Sequence, residues 1–381
     1  MIARQMKIVC ISTSTIPAPT AHSMQLMKVC QALTQLGNEV DLVVPGHAGA
    51  TSTMIARHYG LSRQFKIHWL KSWRALRRYD FSVSSVRHAL DLKADLVYTW
   101  LLPAAVIALW SGLPVVLELH DRIMGTGAPW FFRLFMRSRG KKRLVVITRA
   151  LGEKLEQAFN GSYNNLDVMI APNGVEFERY SSLPSPSAAR KKLNLPDQLT
   201  VVYTGGFYAG RGIELLHALA RQHPAVQFIW AGGTPRSVAE WQEKLATEGL
   251  KNVLLPGFID NERLPMFQAA ADILAMPFGT AIAGSSGGNS AEICSPMKMF
   301  DYLASGRAIM ASDLPVLHEV LNDHNAILLP SEDSNAWSKA LTRLLADTKL
   351  RQRLARQARE DARQYSWSDR EAAILKGFIT L

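Results

Sequence analysis

The strongest constraint on the fold is a short apolar run that is followed by a loop, a helical segment and a second apolar run. Residues 7–12 have the composition of a buried parallel strand, and residues 24–36 place apolar side chains at helical spacing before Gly37. Residues 40–44 form the next predicted strand. Because parallel strands need a crossover between them, this unit predicts an α/β fold with right-handed connections.

The same pattern returns in the second half of the chain. Residues 199–204 form a predicted strand that enters a glycine-rich loop, 205–212, and then a helix. At 381 residues the chain is too long for one ordinary core, so two domains are expected. The serine- and proline-rich stretch 181–190 predicts a linker, which gives domains over residues 1–185 and 190–365.

The composition is that of a globular protein with an uneven charge. Charged residues make up 20% of the chain, and no apolar run reaches the length of a membrane span. The three cysteines lack metal or disulfide spacing and the first residues lack a secretory pattern, so a cytoplasmic protein is expected. Of the net charge of +11, residues 1–188 contribute 22 Lys/Arg against 12 Asp/Glu, whereas the remainder contains 21 against 20.

A predicted helix near residue 300 has clear boundaries in the sequence. A loop of glycine and serine, 284–289, precedes it. Ser295 is the expected N-cap, Pro296 the first helical residue and Gly306 the C-terminal stop. The residues expected on its buried face are Met297, Phe300, Leu303 and Ala304.

Lys298 lies in the first turn of that helix, where a cation opposes the helix dipole. The placement is favourable if an anion binds at the helix start, held by backbone N–H groups and the ammonium together. Asp301 follows one turn later on the same side. The alternative is a surface pair between Lys298 and Asp301, worth about 0.2–0.5 kcal/mol.

The glycine-rich loop of the second half repeats this arrangement. Its backbone N–H groups, from Gly205 onward, can approach a phosphate closely. Arg211 places a second cation near a helix start. Each cation is unfavourable without an anion, so the two placements reinforce one another and favour a phosphate site.

The run Ser-Pro-Met-Lys-Met-Phe-Asp-Tyr-Leu-Ala-Ser-Gly at 295–306 resembles the donor-site helix of retaining glycosyltransferases of family four, which have the GT-B fold. Ala-Pro-Asn-Gly-Val at 171–175 is similar to a motif just before the domain crossing in that family. The resemblance is strongest over residues 201–329. It implies two Rossmann-like α/β domains facing a cleft, with the final helix, about 368–381, packed back on the first domain.

The resemblance also implies roles in the second half. Lys298 and Arg211 would hold the donor diphosphate, and Asp301 would accept the ribose hydroxyls. The chain around Phe258 and Ile259 would frame the nucleotide base. The other residues implied to contact the donor are Gly205, Gly206, Phe207, Ser295, Pro296 and Met297.

Two positions depart from the pattern of the family. Many members have two acids separated by seven residues, and here the first would fall on Ile293, with Glu292 one place off. A branch of the family with Ser-Pro-x-Lys also lacks this acid. Gly206 stands where the family usually has an arginine. One acid and one phosphate-binding cation are therefore missing.

In the first half, candidate residues follow two predicted strands. His120 comes directly after the strand 114–119, where family members often place a histidine against the transferred sugar. A hydrogen-bonded structural histidine is the alternative. The loop 13–23 lies at the same edge, where α/β sheets bind ligands, so His22 or Ser23 can meet an acceptor. A plain loop also accounts for them.

The resemblance implies a retaining glycosyltransferase that moves a sugar from a nucleotide-sugar donor to a glycan or lipid-linked acceptor, in envelope polysaccharide or glycolipid synthesis. Cations and helix-start amides would stabilise the leaving phosphate. Front-face attack, which the family implies, needs no protein nucleophile. No Asp-x-Asp motif is present, so neither a metal nor a cofactor is expected beside the donor. A nucleotide-sugar isomerase and a non-catalytic glycan- or nucleotide-binding module remain alternatives.

The segment 130–143 combines aromatic and basic residues without an acid. This composition is typical of an interfacial segment on an anionic membrane, and a crossover helix that packs on the sheet is the alternative. Since no nucleic-acid motif accompanies the charge, nucleic acid is not expected. The uneven charge favours peripheral attachment to the cytoplasmic membrane face. Its apolar members are Trp130, Phe131, Phe132, Leu134, Phe135 and Met136, and its basic members are Arg133, Arg137, Arg139, Lys141, Lys142 and Arg143.

Overall fold

The computed structural model describes residues 5–73, 76, 79–159, 166–282 and 289–378. The chain divides into two compact units. The first unit comprises residues 1–173 and 367–381, and the second unit comprises residues 174–366. Each unit has its own parallel sheet with helices, so the predicted α/β fold class is confirmed.

The first unit is built on a seven-stranded sheet in the order β3-β2-β1-β4-β5-β6-β7, with every neighbouring pair parallel. Its inner strands are almost wholly buried, as expected where helices cover both faces. The strands are β1 (Lys7–Ile11), β2 (Glu39–Pro45), β3 (Lys66–Leu70), β4 (Leu96–Thr99), β5 (Val115–Leu119), β6 (Lys142–Val146) and β7 (Val168–Ile170). The helices are α1 (Ala21–Gln35), α2 (Ser52–Tyr59), α3 (Tyr79–Asp91), α4 (Leu102–Trp110), α5 (Ala128–Arg137) and α6 (Arg149–Ala158).

The second unit repeats this architecture with a six-stranded parallel sheet in the order β10-β9-β8-β11-β12-β13. Its core is formed by the apolar strands and the inward faces of the helices. The strands are β8 (Thr200–Thr204), β9 (Gln227–Ala231), β10 (Val253–Gly257), β11 (Ile273–Met276), β12 (Ala308–Ser312) and β13 (Ile327–Leu329). The helices are α7 (Pro186–Lys192), α8 (Ile213–Gln222), α9 (Pro235–Thr247), α10 (Leu264–Ala269), α11 (Met297–Ser305), α12 (Ser334–Ala346) and α13 (Thr348–Asp361).

The last helix, α14 (Trp367–Leu375), belongs to the first unit and packs against α1. Arg143 of β6 donates hydrogen bonds to the carbonyl groups of Ile374 and Lys376 at its end, the latter at 3.0 Å. Because the last carbonyls of a helix lack intrahelical partners, the guanidinium caps this end.

Two helix starts differ from the sequence-based expectation. Helix α1 begins at Ala21, three residues early, because Thr20 is an effective N-cap whose hydroxyl accepts from the Ser23 N–H. Helix α11 begins at Met297 with Pro296 as N-cap, so Ser295 is not the capping residue. The predicted stop at Gly306 is confirmed, since that residue is in the left-handed region at φ 62°.

Candidate active site

Three backbone turns meet at the carboxyl ends of the neighbouring strands β8, β9 and β10 of the second sheet. The Gly205 N–H donates to the Ala231 carbonyl at 2.9 Å, and the Gly232 N–H donates to the Gly257 carbonyl at 2.8 Å. The Gly233 N–H donates back to the Gly205 carbonyl at 3.2 Å. These bonds fix the loop after β8 at the edge where ligands of parallel α/β sheets bind.

The side chains around this loop hold it from both sides. The buried Tyr203 hydroxyl donates to the Gly206 carbonyl at 2.7 Å. Phe207 packs over Gly233, where a Cβ atom would lie 2.6 Å from the Phe207 ring. A Cβ atom on Gly206 would lie 2.5 Å from the Tyr208 ring. The predicted phosphate loop therefore depends on small residues at both glycine positions.

Lys298, in the first turn of α11, has a buried ammonium group with no hydrogen-bond partner in the part of the chain that is described. Its Nζ atom lies 3.9 Å from the centre of the Tyr203 ring and 5.2 Å from that of Phe278. A Cβ atom on Gly205 would lie 2.5 Å from Nζ. Burial lowers the pKa of Lys298 well below its ordinary value, and the charge of Arg211 lowers this pKa further.

Arg211 is the second cation of this site, as the sequence predicts. Its guanidinium lies 4.6 Å from the centre of the Tyr208 ring and 4.8 Å from that of Phe278, and it donates to the Tyr208 hydroxyl. Its Nε atom is buried without a hydrogen-bond partner among the described residues. Arg211 and Lys298 thus lie over the same Phe278 ring, and two neighbouring cations with unused donors are suited to bind a phosphate.

The surface pair between Lys298 and Asp301 is not formed, since the Lys298 ammonium has no hydrogen-bond partner among the residues described. Asp301 lies near the buried Tyr180 instead. Burial raises the pKa of the Tyr180 hydroxyl, and the Asp301 carboxylate raises this pKa further. The alternative interpretation of Lys298 is therefore wrong, because the lysine turns inward over the glycine loop.

The residues before α11 form a compact turn. Ile293 is fully buried, so an apolar side chain fills the position of the acid that the family usually has. Glu292 is exposed, and Ser295 is buried. Met297, predicted to be buried, is only half-buried because the helix begins at this residue. The preceding loop, predicted over 284–289, lies almost entirely outside the described residues.

Phe258 and Ile259 follow β10 at the same edge of the second sheet. The Phe258 ring is 47% exposed, whereas Ile259 is half-buried. An exposed aromatic ring at a ligand-binding edge offers a flat apolar face for stacking.

The first unit has its own polar cluster at the carboxyl end of β5. The Nε2 atom of His120 is hydrogen-bonded to the Glu118 carboxylate at 2.7 Å, and its Nδ1 atom lies 3.4 Å from Nδ1 of His22. Burial lowers the pKa of His22 to about 4, with a further contribution from the charge of His120. The Nε2 atom of His22 lies 3.4 Å from the Ser12 hydroxyl. Both candidate histidines of the sequence are thus brought together.

Ser23, the other candidate of this loop, has a structural role. Its side chain is fully buried, and its hydroxyl donates to the carbonyl groups of Ala18 at 2.6 Å and Thr20 at 2.9 Å. These bonds close the turn before α1, which leaves His22 as the residue of the loop that reaches His120.

The sequence interpretation missed Glu118 and Arg370. Glu118 is wholly buried, and Arg370 of α14 donates to it at 2.7 Å. A signal was present, because a glutamate within the apolar strand Val-Val-Leu-Glu-Leu needs a buried partner. Its partner comes from a helix 252 residues later, which local patterns do not reveal.

Four of the twelve residues named for the expected membrane segment make contacts inside the first unit instead. Phe132 and Phe135 are fully buried, because α5 is the crossover helix between β5 and β6 and packs against α4. The Lys142 ammonium donates to the Met136 carbonyl at 2.7 Å, and Arg143 pairs with Asp167 at 2.6 Å. The prediction that the whole segment faces a membrane is therefore wrong for these four residues. No helix in the described ranges is long and apolar enough to cross a membrane.

The whole fold is similar to that of solved glycosyltransferase structures. HepE of Anabaena in complex with UDP-glucose superposes with a TM-score of 0.75 at 18% identity, over 99% of this chain and 100% of that one. Sucrose-phosphate synthase of Thermosynechococcus elongatus gives a TM-score of 0.74 at 18% identity, over 98% of each chain. At these identities the likeness establishes the fold, which is GT-B.

Family models match both halves of the sequence. Residues 198–347 match the model described as glycosyl transferases group 1, and residues 23–179 match glycosyltransferase family 4. Each half of the chain is therefore similar to glycosyltransferases, and its fold is GT-B. The chain is 29% identical over 250 residues to the D-inositol 3-phosphate glycosyltransferase of Xylanimonas cellulosilytica, a match that covers 61% of the chain and 55% of that relative. The chain spans a little over half the length of such curated relatives.

Proposed function

We propose that this protein is a retaining glycosyltransferase that transfers a sugar from a nucleoside diphosphate sugar to a glycan or lipid-linked acceptor. The observation that carries the proposal is the pair of cations at the glycine loop. The Lys298 ammonium is buried without a hydrogen-bond partner among the described residues, and the Arg211 guanidinium lies over the same aromatic ring. A buried unpaired cation is costly, and a bound diphosphate would relieve that cost.

The same two cations account for the chemistry of the donor. Cleavage of the bond between sugar and diphosphate places negative charge on the leaving phosphate. Lys298 and Arg211 stabilise that charge, and the backbone N–H groups at Gly206 and the start of α11 contribute further donors. The acceptor hydroxyl attacks the sugar on the same face from which the diphosphate departs, and the departing phosphate takes the proton of the acceptor hydroxyl. No metal ion or protein nucleophile is required in this scheme.

Two further residues are proposed to contact the donor. Asp301, one turn after Lys298, accepts hydrogen bonds from the ribose hydroxyls. Phe258, with its exposed ring, stacks on the base. The solved structure of HepE contains UDP-glucose, which makes a uridine nucleotide the first donor to test.

The acceptor is proposed to be linked to a lipid, since one matched relative is the processive diacylglycerol alpha-glucosyltransferase of Acholeplasma laidlawii, 23% identical over 57% of this chain and 62% of that relative.

The first unit has an apolar patch of aromatic residues on α3, on α5 and before α3. Tyr79 of α3 and Phe131 of α5 lie with ring centres 5.6 Å apart. Trp130 beside them is 55% exposed, and Trp73, whose N–H donates to Asp80, is 68% exposed.

Exposed cations surround this apolar patch. Arg133, Arg137, Arg139 and Lys141 are exposed and follow Trp130 within one short segment. Exposed aromatic rings next to cations favour the interface of an anionic bilayer, where each cation contributes about 1 kcal/mol. The proposed membrane surface is therefore Trp73, Tyr79, Trp130, Phe131 and these four cations, without Phe132, Phe135, Lys142 and Arg143.

The proposal is tested with isotope-labelled nucleotide sugars and a lipid extract. A transferase yields labelled lipid or glycan, an isomerase yields altered free donor, and a binding module yields neither. In the active case, Lys298→Ala and Arg211→Ala are each expected to reduce turnover about 100-fold, because each removes a charge directed at the leaving group. Normal turnover in both variants would contradict the assignment.

A further inference from the structure

The Glu118 carboxylate is hydrogen-bonded to four side chains that come from different parts of the first unit. It accepts from Nε2 of Gln25 at 2.6 Å, from the Tyr98 hydroxyl and from the Arg370 guanidinium at 2.7 Å. The fourth partner is Nε2 of His120, at 2.7 Å. All of these partners are buried except His120, whose side chain retains 20% of its exposure. His120 is therefore the member of the cluster that a ligand can reach.

Glu118 is ionised within this cluster. Burial by itself would raise its pKa, but the Arg370 charge and the His120 hydrogen bond oppose this effect, and the pKa falls below its ordinary value. A second buried carboxylate, Glu371, also pairs with Arg370, and burial raises the pKa of Glu371 to about 7. Arg370 therefore stabilises the charge of Glu118 in preference to that of its sequence neighbour.

An ionised carboxylate only accepts hydrogen bonds, so Nε2 of His120 must hold a proton to make its 2.7 Å bond. In the neutral ring, Nδ1 is then the unprotonated nitrogen. Nδ1 faces the Nδ1 atom of His22 at 3.4 Å, which must be the donor in this contact. The contact is long, and it leaves Nδ1 of His120 ready to accept a better-placed donor.

We propose that Glu118, held by Arg370 of the C-terminal helix, is a positioning residue that fixes His120 with its proton on Nε2, so that His120 meets a bound sugar through Nδ1 as a hydrogen-bond acceptor. A sugar hydroxyl takes the place of His22 as the donor. The identity of the ligand rests on the proposed function, whereas the tautomer of His120 does not. Helix α14 thereby determines which nitrogen of His120, directly after β5, is protonated.

The test is ¹⁵N NMR of the full-length protein labelled in its histidine rings, with His120 assigned from the resonances that His120→Asn removes. We expect the wild type to show the form protonated at Nε2. Glu118→Gln keeps the shape but removes the charge, so its weaker acceptor allows the Nδ1-protonated form to appear. Glu371→Gln is the matched control, because it removes a buried carboxylate from the same arginine without touching His120.

The same variants are compared in function. Glu118→Gln is expected to lower kcat for hydrolysis of UDP-glucose about 10-fold, as loss of an orienting partner does elsewhere, while Glu371→Gln leaves it nearly unchanged. UDP binding, which depends on the second unit, should be the same in all three proteins. His120 protonated at Nδ1 in the wild type, or equal spectra for the two variants, would overturn the inference. A wild type that neither binds UDP nor consumes donor would instead overturn the proposed function, and the wild-type spectrum would still decide the tautomer.

Discussion

The ammonium nitrogen of Lys298 lies 3.9 Å from the centre of the Tyr203 ring, and no described residue offers it a hydrogen-bond acceptor. A cation–π interaction stabilises a desolvated cation by about 2 kcal/mol, whereas the effective cost of burying an ion is several kcal/mol. Arg211 adds a like charge rather than a counter-charge. The free protein therefore contains, at the start of α11, an amino group whose charged form is unfavourable, which is typical of a binding site that its ligand completes.

Gly205 leaves the space that this cation needs. We predict that Gly205→Ala weakens UDP binding about 10-fold or more, because its methyl group would lie 2.5 Å from Nζ of Lys298 and displace the ammonium. The matched control is Gly249→Ala, which also has a positive φ but has no atom within 4 Å of its new Cβ. Both variants place a side chain at a positive φ, 144° at residue 205 and 69° at residue 249, so each loses stability from backbone strain, but only Gly205→Ala reaches Lys298. Equal losses of affinity, measured by calorimetry, would contradict this explanation.

Asp301 is predicted to bind the ribose of the donor. Asp301→Ala should weaken UDP binding by about 1.5–3 kcal/mol, the range for hydrogen bonds to a charged group. Pyrophosphate is the control ligand, since it contains the two phosphates without a ribose, and its affinity should not change. If both ligands lose affinity equally, Asp301 acts on the phosphate site or the fold, and the ribose assignment fails.

Glu371 predicts a pH dependence of stability. Its pKa is raised to about 7 by burial, against the effect of Arg370, so the folded state keeps this proton between pH 4.5 and pH 7 while the unfolded chain releases it. The free energy of unfolding therefore falls by about 3 kcal/mol, through this one group, as pH rises through that window. Glu371→Gln removes the loss.

Chemical denaturation at pH 4.5 and pH 8 measures this effect. The stability of Glu371→Gln relative to wild type should be higher at pH 8 than at pH 4.5 by roughly that amount. Glu156→Gln, at an exposed position of α6, should show no such change. A Glu371→Gln difference that is equal at both pH values would contradict the buried, protonated state.

The proposed membrane surface is tested by sedimentation with vesicles. Wild-type protein should bind anionic vesicles more than neutral ones, with binding that weakens as salt rises. A variant with Arg137, Arg139 and Lys141 changed to serine should lose most of this preference. The charge-matched control changes Lys191, Lys192 and Arg353, which are exposed in the second unit, to serine. Equal binding of the two variants would rule the surface out.

Local patterns in the sequence predicted most of the fold. The apolar runs at 7–12, 40–44, 114–119 and 199–204 predicted β1, β2, β5 and β8, and Gly306 predicted the end of α11, because these features depend on neighbours in the chain, whereas the edge strands β3 and β7 were not predicted. The start of α11 was one residue wrong, since Ser-Pro is an acceptable cap in isolation and only the packed turn selects Pro296.

The site was predicted in part for the same reason. Lys298 and Arg211 oppose the dipoles of their own helices, which is a local signal, and both are found over Phe278. Glu118 was not predicted because the partner of its buried charge, Arg370, is far away in the sequence. The inward packing of Phe132 and Phe135 also depends on tertiary structure, since composition alone does not separate a crossover helix from an interfacial one.

The account as a whole depends on Lys298 being a buried amino group whose charged form is stabilised by a bound anion. The most direct test is calorimetry of UDP binding at a series of pH values below the ordinary pKa of lysine, in two buffers of different ionisation enthalpy, for wild type, Lys298→Met and the exposed-lysine control Lys251→Met. Because burial lowers the pKa of Lys298 and a bound diphosphate raises it again, wild type and control should take up protons on binding.

Lys298→Met should bind UDP about 10-fold or more weakly, without that proton uptake, and its free form should be about 1–2 kcal/mol more stable than wild type. Unchanged affinity and unchanged proton uptake in Lys298→Met would contradict the account.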